Sequence, residues 1–172
     1  MEFFEVLEAR RSIRAFADKP VESEKWHKIL DSANRAPSAG NLQAYEIFEV
    51  RRRRTLEALA RAAFDQEFVA QAQAALVFCA HPSRSARKYG NRGVSLYCVQ
   101  DATIACAYAQ LAATALGLAC VWVGAFDDDA VREAIGVGQQ LVPVAILPIG
   151  YAAEAPEATA RRSISELVHV IE

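Results

Sequence analysis

The chain has 172 residues, of which 53% are hydrophobic, and its formal net charge is −2 at pH 7. Such a length suits one domain and can bury about 68–70% of the surface that the unfolded chain exposes. The near-neutral charge gives no general attraction to nucleic acid or anionic membranes. The high apolar fraction indicates a large core and a subunit interface. We therefore expect a single domain over residues 1–172 with a second copy of the chain as its partner.

The cysteines and the N-terminal segment both indicate a cytoplasmic protein. The four cysteines lie singly inside apolar runs, without C-x-x-C or zinc-type spacing: Cys79, Cys98, Cys106 and Cys120. Isolated thiols of this kind are typical of buried residues in a reducing compartment. The starting sequence MEFFEVLEARRSIR lacks the order of regions that a signal peptide shows. No metal site is predicted.

A basic motif, RRSIR at residues 10–14, follows a stretch over residues 3–9 that can form one or two helical turns. Guanidinium groups match phosphate oxygens bidentately, and Arg10 and Arg14 share a face if the segment stays helical. The motif therefore suits a phosphate site. A solvated basic helix end, favoured by the helix dipole, also explains it.

The next elements are a helix and a polar loop. Apolar residues at helical spacing from Trp26 to Ala33 predict an amphipathic helix over residues 23–35, with Ser23 as its cap. The loop at residues 36–43, APSAGNLQ, follows it. Its hydroxyl and amide side chains suit hydrogen bonding to the edge of a polar heterocycle such as a flavin. A plain helix-to-strand turn fits the loop as well.

Four consecutive arginines, residues 51–54, follow a strand-like stretch over residues 45–50. A lone run without interleaved aromatic residues or net positive charge is more typical of a solvated turn and helix start than of nucleic-acid binding. The elements expected next are a helix from Thr55 to Phe64, a helical stretch over residues 66–73 and a buried strand over residues 75–80.

Residues 83–95 are polar and are expected to form a loop. Their position before a buried helix suggests an ordered loop beside whatever that helix supports. A mobile surface loop is the alternative.

The central segment, residues 101–127, carries no charge between its two end aspartates. Its length would allow a membrane span, but polar residues dilute it and no basic cluster borders it closely. Gly117 divides it into an Ala- and Leu-rich part and a strand-like run at residues 119–123. We predict a buried helix, a glycine stop and a buried strand. A helix that is apolar on nearly every face needs partners all round, including a second copy of the chain.

The last third of the chain contains three further signals. The aspartates at residues 127–129 can cap a helix that ends at Gly136. The sequence GVGQQL, at residues 136–141, resembles the start of a dinucleotide fingerprint but lacks the third glycine and a preceding strand, so no Rossmann domain is predicted. Prolines interrupt the strand-like residues 142–150, which favours an edge or bulged strand.

The tail carries an arginine pair, Arg161 and Arg162, and an apolar end at residues 167–171. The arginines could contact a second phosphate or merely face solvent. The apolar end must be buried, and a partner subunit is a reasonable host for it.

Motifs for side-chain catalysis are absent from the sequence. It has no nucleophile elbow, Walker loop or H-E-x-x-H, and its three histidines are scattered. If the protein is an enzyme, a bound cofactor supplies the reactivity.

Five motifs occur in one order along the chain. They are RRSIR at 10–14, APSAGNLQ at 36–43, the Tyr89-Gly90 and Gln100-Asp101 region before an Ala-rich helix, LGL followed by WVG at 116–124, and PIGY at 148–151. In this order they resemble the FMN-dependent nitroreductase family in its short form, over nearly the whole chain. The resemblance implies an α+β fold, with a mostly antiparallel sheet flanked by helices, in an intertwined homodimer that binds two FMN molecules at the subunit interface.

The resemblance also assigns the cofactor-binding residues. Contacts to the FMN phosphate and ribityl chain come from one subunit, through Arg10, Arg11, Ser12 and Arg14. Arg162 matches a C-terminal basic contact to the same phosphate, and Arg161 is the alternative. The other subunit contributes the loop residues Pro37, Ser38, Ala39 and Asn41. The turn whose backbone amides approach the flavin ring comprises Val123, Gly124 and Ala125.

The chain departs from the family pattern in two places. Members commonly continue the loop as Gln-Pro-Trp, whereas this chain has Gln43-Ala44-Tyr45. Ala44 loses the fixed φ of proline, and Tyr45 keeps an aromatic ring with a polar tip. The extra helical insertion that longer members place over the substrate is also missing.

The implied activity is a ping-pong transfer of hydride from NAD(P)H, through flavin N5, to a nitroaromatic, quinone or enone-like acceptor. No protein residue need donate a proton. Two other interpretations stay open: a related FMN protein with other flavin chemistry, such as dehalogenation, flavin fragmentation or ring dehydrogenation, and a non-catalytic flavin-binding dimer. Neither nucleic acid nor a membrane is an expected partner.

Overall fold

The sheet is antiparallel throughout its described pairings. The computed structural model describes residues 1–171, and its sheet has the strand order β1-β5-β3-β2, with β4 paired to β5. The strands are β1 Phe16–Ala17, β2 Tyr45–Val50, β3 Ala74–Ala80, β4 Ala119–Cys120 and β5 Val142–Ala152. The prediction of a mostly antiparallel sheet is confirmed.

Helices cover both faces of this sheet. They are α1 Phe3–Ala9, α2 Ser23–Asn34, α3 Arg53–Ala62, α4 Phe68–Gln71, α5 Pro82–Arg92, α6 Cys98–Ala115, α7 Asp128–Ile135 and α8 Ile164–Leu167. One core cluster joins α2 and α6 to the first face, and a second joins α3 and α7 to the opposite face. Every residue of β3 is buried because its side chains alternate between these clusters.

The central helix and its glycine stop are confirmed. Alanine lines much of the buried side of α6, which lets the helix lie close against the sheet. Gly117 has a φ of +73°, and the Leu118 amide donates to the Ala113 carbonyl at 2.9 Å. This bond closes a Schellman motif, for which glycine is the preferred residue. The run after it is shorter than expected: β4 has two residues, and Val123 adds an isolated bridge to Ile146.

The prediction of a loop over residues 83–95 is wrong. Helix α5 occupies most of this range, and a π-helical turn, Gly93–Tyr97, carries the chain directly into α6. Pro82 stands in the first turn of α5, where its missing N–H costs nothing. The helix is mostly exposed and polar, so it has no apolar stripe from which to recognise it.

Smaller boundaries also differ from the expectations. Helix α2 starts at Ser23 itself, after Glu22, and α3 starts at Arg53, so neither Ser23 nor Thr55 is a cap. Within residues 66–73 only α4 is helical. The cap of α7 is confirmed, since Asp127 Oδ1 accepts from the Ala130 amide at 2.8 Å.

Strand β5 is internal and bulged. It pairs with β3 on one side and with β1 and β4 on the other, so the expectation of an edge strand is wrong. The expectation of a bulge is confirmed: Phe78 pairs with Ala145, whereas the next residue of β3, Cys79, pairs with Pro143. The extra residue lets the strand accommodate a proline inside the sheet.

The cysteines, the helices and the tail each bear on the expectations above. All four cysteines are buried and free, and no group of three or more potential ligand side chains in residues 1–171 is arranged for a metal ion. None of the described helices combines the length and hydropathy needed to cross a bilayer. The tail after β5 stays exposed on the single chain, with Ile171 at 94% exposure.

Candidate functional site

The basic motif follows α1 as extended chain, held by backbone hydrogen bonds. Helix α1 ends at Ala9, so Arg10 and Arg14 do not share a helical face. The Ile13 amide donates to the Cys120 carbonyl at the end of β4, at 3.2 Å. The amides of Arg14 and Ala15 donate to the Glu154 carboxylate, just beyond β5. These contacts fix the segment while leaving its arginine side chains at the surface.

The arginine cavity, as we call it, lies beside this segment and measures about 500 Å³. Its lining includes Arg10, Arg11, Ser12, Arg14 and Arg161, together with the acidic residues Glu8 and Glu157. Within residues 1–171, no carboxylate oxygen lies within 4.0 Å of the guanidinium nitrogens of Arg10, Arg14 or Arg161. Unpaired guanidinium groups gathered in one cavity suit an anion such as phosphate.

Two of the predicted arginines are occupied elsewhere. Arg11 Nη1 donates to the Arg10 carbonyl at 3.0 Å and to the Glu8 carbonyl, so its side chain folds back on the end of α1. Arg162 Nη2 donates to the Glu166 carbonyl at 2.9 Å within the tail. Arg161, and not Arg162, lines the arginine cavity.

The loop after α2 has a backbone that few sequences adopt without support. Gly40, Asn41 and Gln43 have φ angles of +56°, +57° and +48°. Positive φ is unfavourable for residues with a Cβ, although asparagine tolerates it better than most. Ser38 Oγ accepts from the Gln43 amide at 3.0 Å and closes the turn.

A buried carboxylate on α6 holds this loop. Asp101 is 2% exposed; its Oδ1 accepts from the Ala39 amide at 2.9 Å and its Oδ2 from the Ala44 amide at 3.3 Å. A buried carboxylate is stable only with such donors, and charge-assisted bonds are the stronger kind. The second bond needs an N–H at position 44, which the proline common in the family lacks. Ala44 therefore replaces a fixed φ by a hydrogen bond.

Tyr45 is likewise integrated into the core. It is buried, and its hydroxyl donates to the Ala33 carbonyl at 3.4 Å. Burial, and to a lesser degree the Asp101 carboxylate, raises the pKa of its phenol. Tyr45 thus anchors the start of β2.

Helix α5 covers the outer side of the loop. Arg84 Nη1 donates to the Gln43 carbonyl and Nη2 to Glu46 Oε1, both at 2.9 Å. A Cβ at Gly40 would lie 2.5 Å from the Tyr89 hydroxyl and 2.7 Å from Lys88 Nζ. Glycine is therefore favoured at position 40 by its positive φ, and a Cβ there would displace the ends of the Tyr89 and Lys88 side chains.

A second cavity, the loop cavity, lies between the loop and α6 and measures about 430 Å³. Its lining comprises Pro37, Ser38, Ala39, Tyr97, Gln100, Asp101, Thr103 and Ile104. None of these residues lines the arginine cavity. A single chain therefore keeps the two predicted halves of the site in separate cavities, and Asn41 lies outside both.

The turn at residues 123–125 lines neither cavity. Val123 exchanges two backbone hydrogen bonds of 2.9 Å with Ile146, the Ala125 carbonyl accepts from Gln66 Nε2 at 3.3 Å, and Gly124 is exposed. The turn follows β4, which also binds the basic motif. Burial raises the pKa of the Cys120 thiol in β4 to about 12, against a smaller lowering by the Arg10 guanidinium.

The sequence reasoning missed Asp101 as the residue that holds the loop, and it missed α5 as its cover. The signal for Asp101 was its position as a lone carboxylate at the start of an otherwise uncharged helix. For α5, the signal was Pro82, because proline is favoured at the first position of a helix.

The family model of the nitroreductases, "Nitroreductase family", matches residues 7–151. The chain belongs to the nitroreductase family. A nitroreductase-family relative from Archaeoglobus fulgidus is 34% identical over 154 residues, which are 87% of this chain and 85% of the relative. The oxygen-insensitive NADPH nitroreductase of Salmonella typhimurium is 30% identical, over 96% of this chain and 72% of its own.

Solved nitroreductase structures have the same fold. The structure of the NADPH:FMN oxidoreductase from Vibrio harveyi, complexed with NAD⁺, matches with a TM-score of 0.90 and 26% identity. The match covers 99% of this chain and 77% of that one. The predicted α+β nitroreductase fold is therefore confirmed.

Proposed function

We propose that this chain is an FMN-dependent NAD(P)H oxidoreductase of the nitroreductase type. The observation that carries the proposal is the arginine cavity, in a chain that belongs to this family. The names of the Salmonella and Vibrio relatives support it, since they describe an NADPH nitroreductase and an NADPH:FMN oxidoreductase. The acceptors that we propose are nitroaromatic, quinone or enone-like compounds.

The residues of the arginine cavity fit the phosphate end of FMN. Arg10, Arg14 and Arg161 offer guanidinium donors without carboxylate partners, and Ser12 offers a hydroxyl. A doubly charged phosphate has the geometry that such forks bind bidentately. Phosphate contacts from Arg162 and Arg11 stay predictions. Arg162 would reach the phosphate only if the tail took another path, and Arg11 only if its side chain changed rotamer.

When bound, FMN supplies hydride transfer between NAD(P)H and the acceptor through its N5 atom. The residues of the chain bind the FMN, orient its ring and exclude water from it. The exposed backbone at Gly124 and Ala125 can donate to the ring, and the loop from Pro37 to Asn41 can close over it from the partner subunit. Asp101 is already engaged by two amides, so it acts on the loop and is not a proton donor.

A homodimer completes the proposed site. An apolar groove of about 540 Å³ lies between α1 and α6, lined in part by Phe3, Val6, Tyr108 and Leu111. Apolar side chains of the tail are exposed on the single chain: Ile164, Leu167, Val168, Val170 and Ile171. The partner's tail is the proposed occupant of this apolar surface, because both sides lose water when they meet. The cytoplasmic location stays a prediction.

The first experiment is an absorption spectrum of the purified protein, with the chromophore identified after release by heat. We expect a yellow protein that releases about one FMN per chain. The paired variant Arg10→Ala/Arg14→Ala should lose FMN, whereas Lys28→Ala/Arg54→Ala, which removes two exposed cations elsewhere, should keep it. A colourless wild-type protein that also fails to bind added FMN would contradict the proposal.

Turnover then distinguishes an oxidoreductase from a non-catalytic flavin-binding dimer. NADH or NADPH should bleach the bound flavin, and a nitroaromatic or quinone should restore its colour. A yellow protein that neither nicotinamide reduces would leave FMN binding intact but exclude the proposed activity.

A further inference from the structure

Helix α5 carries an unusual concentration of positive charge. Between residues 81 and 100 the chain has four cations, Arg84, Arg87, Lys88 and Arg92, and no carboxylate. Arg84 pairs with Glu46 at 2.9 Å. The other three side chains are exposed, and within residues 1–171 no carboxylate oxygen lies within 4.0 Å of their nitrogens.

Two of these cations contact residues of the loop or of the loop cavity. Lys88 Nζ would lie 2.7 Å from a Cβ at Gly40, which places the ammonium group directly over the loop. Arg92 Nε donates to the Tyr97 hydroxyl at 3.0 Å, and Tyr97 lines the cavity. Both cations therefore lie next to the proposed site.

A pair of tyrosines fixes both cations. The rings of Tyr89 and Tyr97 meet edge to face at 5.0 Å between centroids. Lys88 Nζ lies 5.4 Å from the centre of the Tyr89 ring, and the Arg92 guanidinium lies 5.4 Å from that of Tyr97. Such cation–π contacts orient a cation and leave its charge available to a ligand.

Two carboxylates near the loop already have partners in the chain. Asp101 accepts from two loop amides, and Glu46 is paired with Arg84. Lys88, Arg92 and Arg87 have no carboxylate partner of this kind. The phosphate of FMN is assigned to the separate arginine cavity, so these cations are left for another ligand.

We propose that Lys88 and Arg92 form an anion subsite that selects substrates carrying a phosphate or carboxylate group. This inference rests on the proposed function, because the loop cavity is where the nicotinamide and the acceptor would approach the flavin. The anionic group can belong to the reductant, as the 2′-phosphate that distinguishes NADPH from NADH, or to the acceptor, as a carboxylate on a nitroaromatic ring.

The test compares the wild type with Lys88→Gln/Arg92→Gln, which removes both charges and keeps unbranched polar side chains of similar helix propensity. The Michaelis constant is measured for NADPH and NADH with a neutral acceptor, and for 4-nitrobenzoate and 4-nitrobenzyl alcohol with one reductant. In the neutralised variant we expect the Michaelis constant for NADPH, or that for 4-nitrobenzoate, to rise about threefold to tenfold. The constant for the less charged compound of the same pair should change less. High salt should likewise weaken the preference of the wild type for the anionic compound.

Two controls separate charge from folding. Lys88→Arg/Arg92→Lys keeps both charges and should preserve the preference, and Lys28→Ala/Arg54→Ala removes two distant charges and should do the same. A shift with NADPH alone assigns the subsite to the reductant, and a shift with 4-nitrobenzoate alone assigns it to the acceptor. Changes below about twofold in both pairs would overturn the inference.

Calorimetric binding gives a readout that needs no turnover. Titrations with 2′,5′-ADP and with 4-nitrobenzoate should show weaker binding to the neutralised variant for at least one ligand. If the wild type reduces only neutral acceptors and shows no preference, the proposed function stands and the inference fails. If no acceptor is reduced, the proposed function fails, and equal binding of both ligands to wild type and variant would overturn the inference separately.

Discussion

Asp101 connects helix α6 to both ends of the loop in the candidate site. Its two oxygens bind the amides at both ends of the loop, Ala39 and Ala44, and it is nearly fully buried. The loop between them holds three residues at positive φ, which the carboxylate helps to maintain. In the proposed site Asp101 is a positioning residue, because it would act on FMN only through this loop.

Asp101→Asn should loosen the loop. An amide side chain has only one oxygen, so one backbone N–H would face an NH₂ group and lose its partner, at a cost of about 1–3 kcal/mol. We expect a lower melting temperature and about tenfold weaker FMN binding, measured by flavin fluorescence. Asp18→Asn, at an exposed position, is the matched control. Wild-type FMN affinity in Asp101→Asn would show that the loop holds its shape without the carboxylate.

The cysteines predict the behaviour of the protein in alkali. Burial raises the pKa of the Cys79 thiol from its ordinary 9.0 to about 12, and burial likewise raises that of Cys120 to about 12. Between pH 9 and 12 these two thiols stay protonated in the folded chain but lose their protons in the unfolded chain. The free energy of unfolding therefore falls as the pH rises from about 9 towards 12. Urea unfolding at increasing pH should show this loss.

Thiol reactivity provides a second measurement of the same feature. A disulfide reagent at pH 8 should modify none of the four cysteines in the folded protein and all of them in concentrated guanidinium chloride, because only an accessible thiolate reacts. Rapid modification of the folded protein would contradict the buried positions of these residues.

Among the elements, the junction between α5 and α6 determines the position of α5 over the loop. Gly93 opens the π-helical turn between them and is buried. A Cβ at this position would lie 2.7 Å from the Ser85 carbonyl oxygen and 2.9 Å from Ser85 Oγ. The first turn of α5 thus packs directly on the backbone of this junction.

Gly93→Ala should therefore push α5 away from α6. Overpacking of this kind costs about 1–3 kcal/mol, and the shift of Lys88 and Tyr89 should also change flavin fluorescence. Chemical unfolding measures the first effect. Val94→Ala, in the same turn but exposed, should change stability by less than about 0.5 kcal/mol. Equal stability of Gly93→Ala and the wild type would mean that the junction can relax.

The elements also show why part of this structure could be predicted and part could not. Gly117 and Asp127 end and begin helices through local chemistry, so the sequence alone predicted both. Helix α5 has no apolar stripe, and β5 takes an internal place that its prolines argue against. The basic motif was visible as five adjacent residues, whereas Asp101 meets partners 57 and 62 positions away. Contacts at that separation depend on the tertiary fold.

For the whole molecule, the exposed tail and α1 predict a dimer. Ile164 and Leu167 on α8 are 74% and 52% exposed on the single chain. Ile164→Glu/Leu167→Glu should raise the dimer dissociation constant about 100-fold, since burying one such side chain is worth about 1.5–3 kcal/mol. Light scattering and FMN retention measure this effect.

The control for this prediction is Phe64→Glu, which changes another exposed apolar side chain, just beyond α3. It should leave the dimer intact. A wild-type chain that is monomeric at micromolar concentration while still binding FMN would contradict the two-subunit site.

The alanines of α6 have a thermodynamic consequence for ligand binding. Ala102, Ala105, Ala109 and Ala113 are fully buried on this helix, and alanine has no rotamer entropy to lose. These side chains of α6, the helix that carries Asp101 and borders the loop cavity, therefore add no rotamer entropy cost when a ligand binds. The entropy lost on binding falls instead on the long arginine side chains, each of which has about 2 kcal/mol of rotamer freedom. Affinity should consequently depend on how far neighbouring residues restrict those arginines in the empty protein.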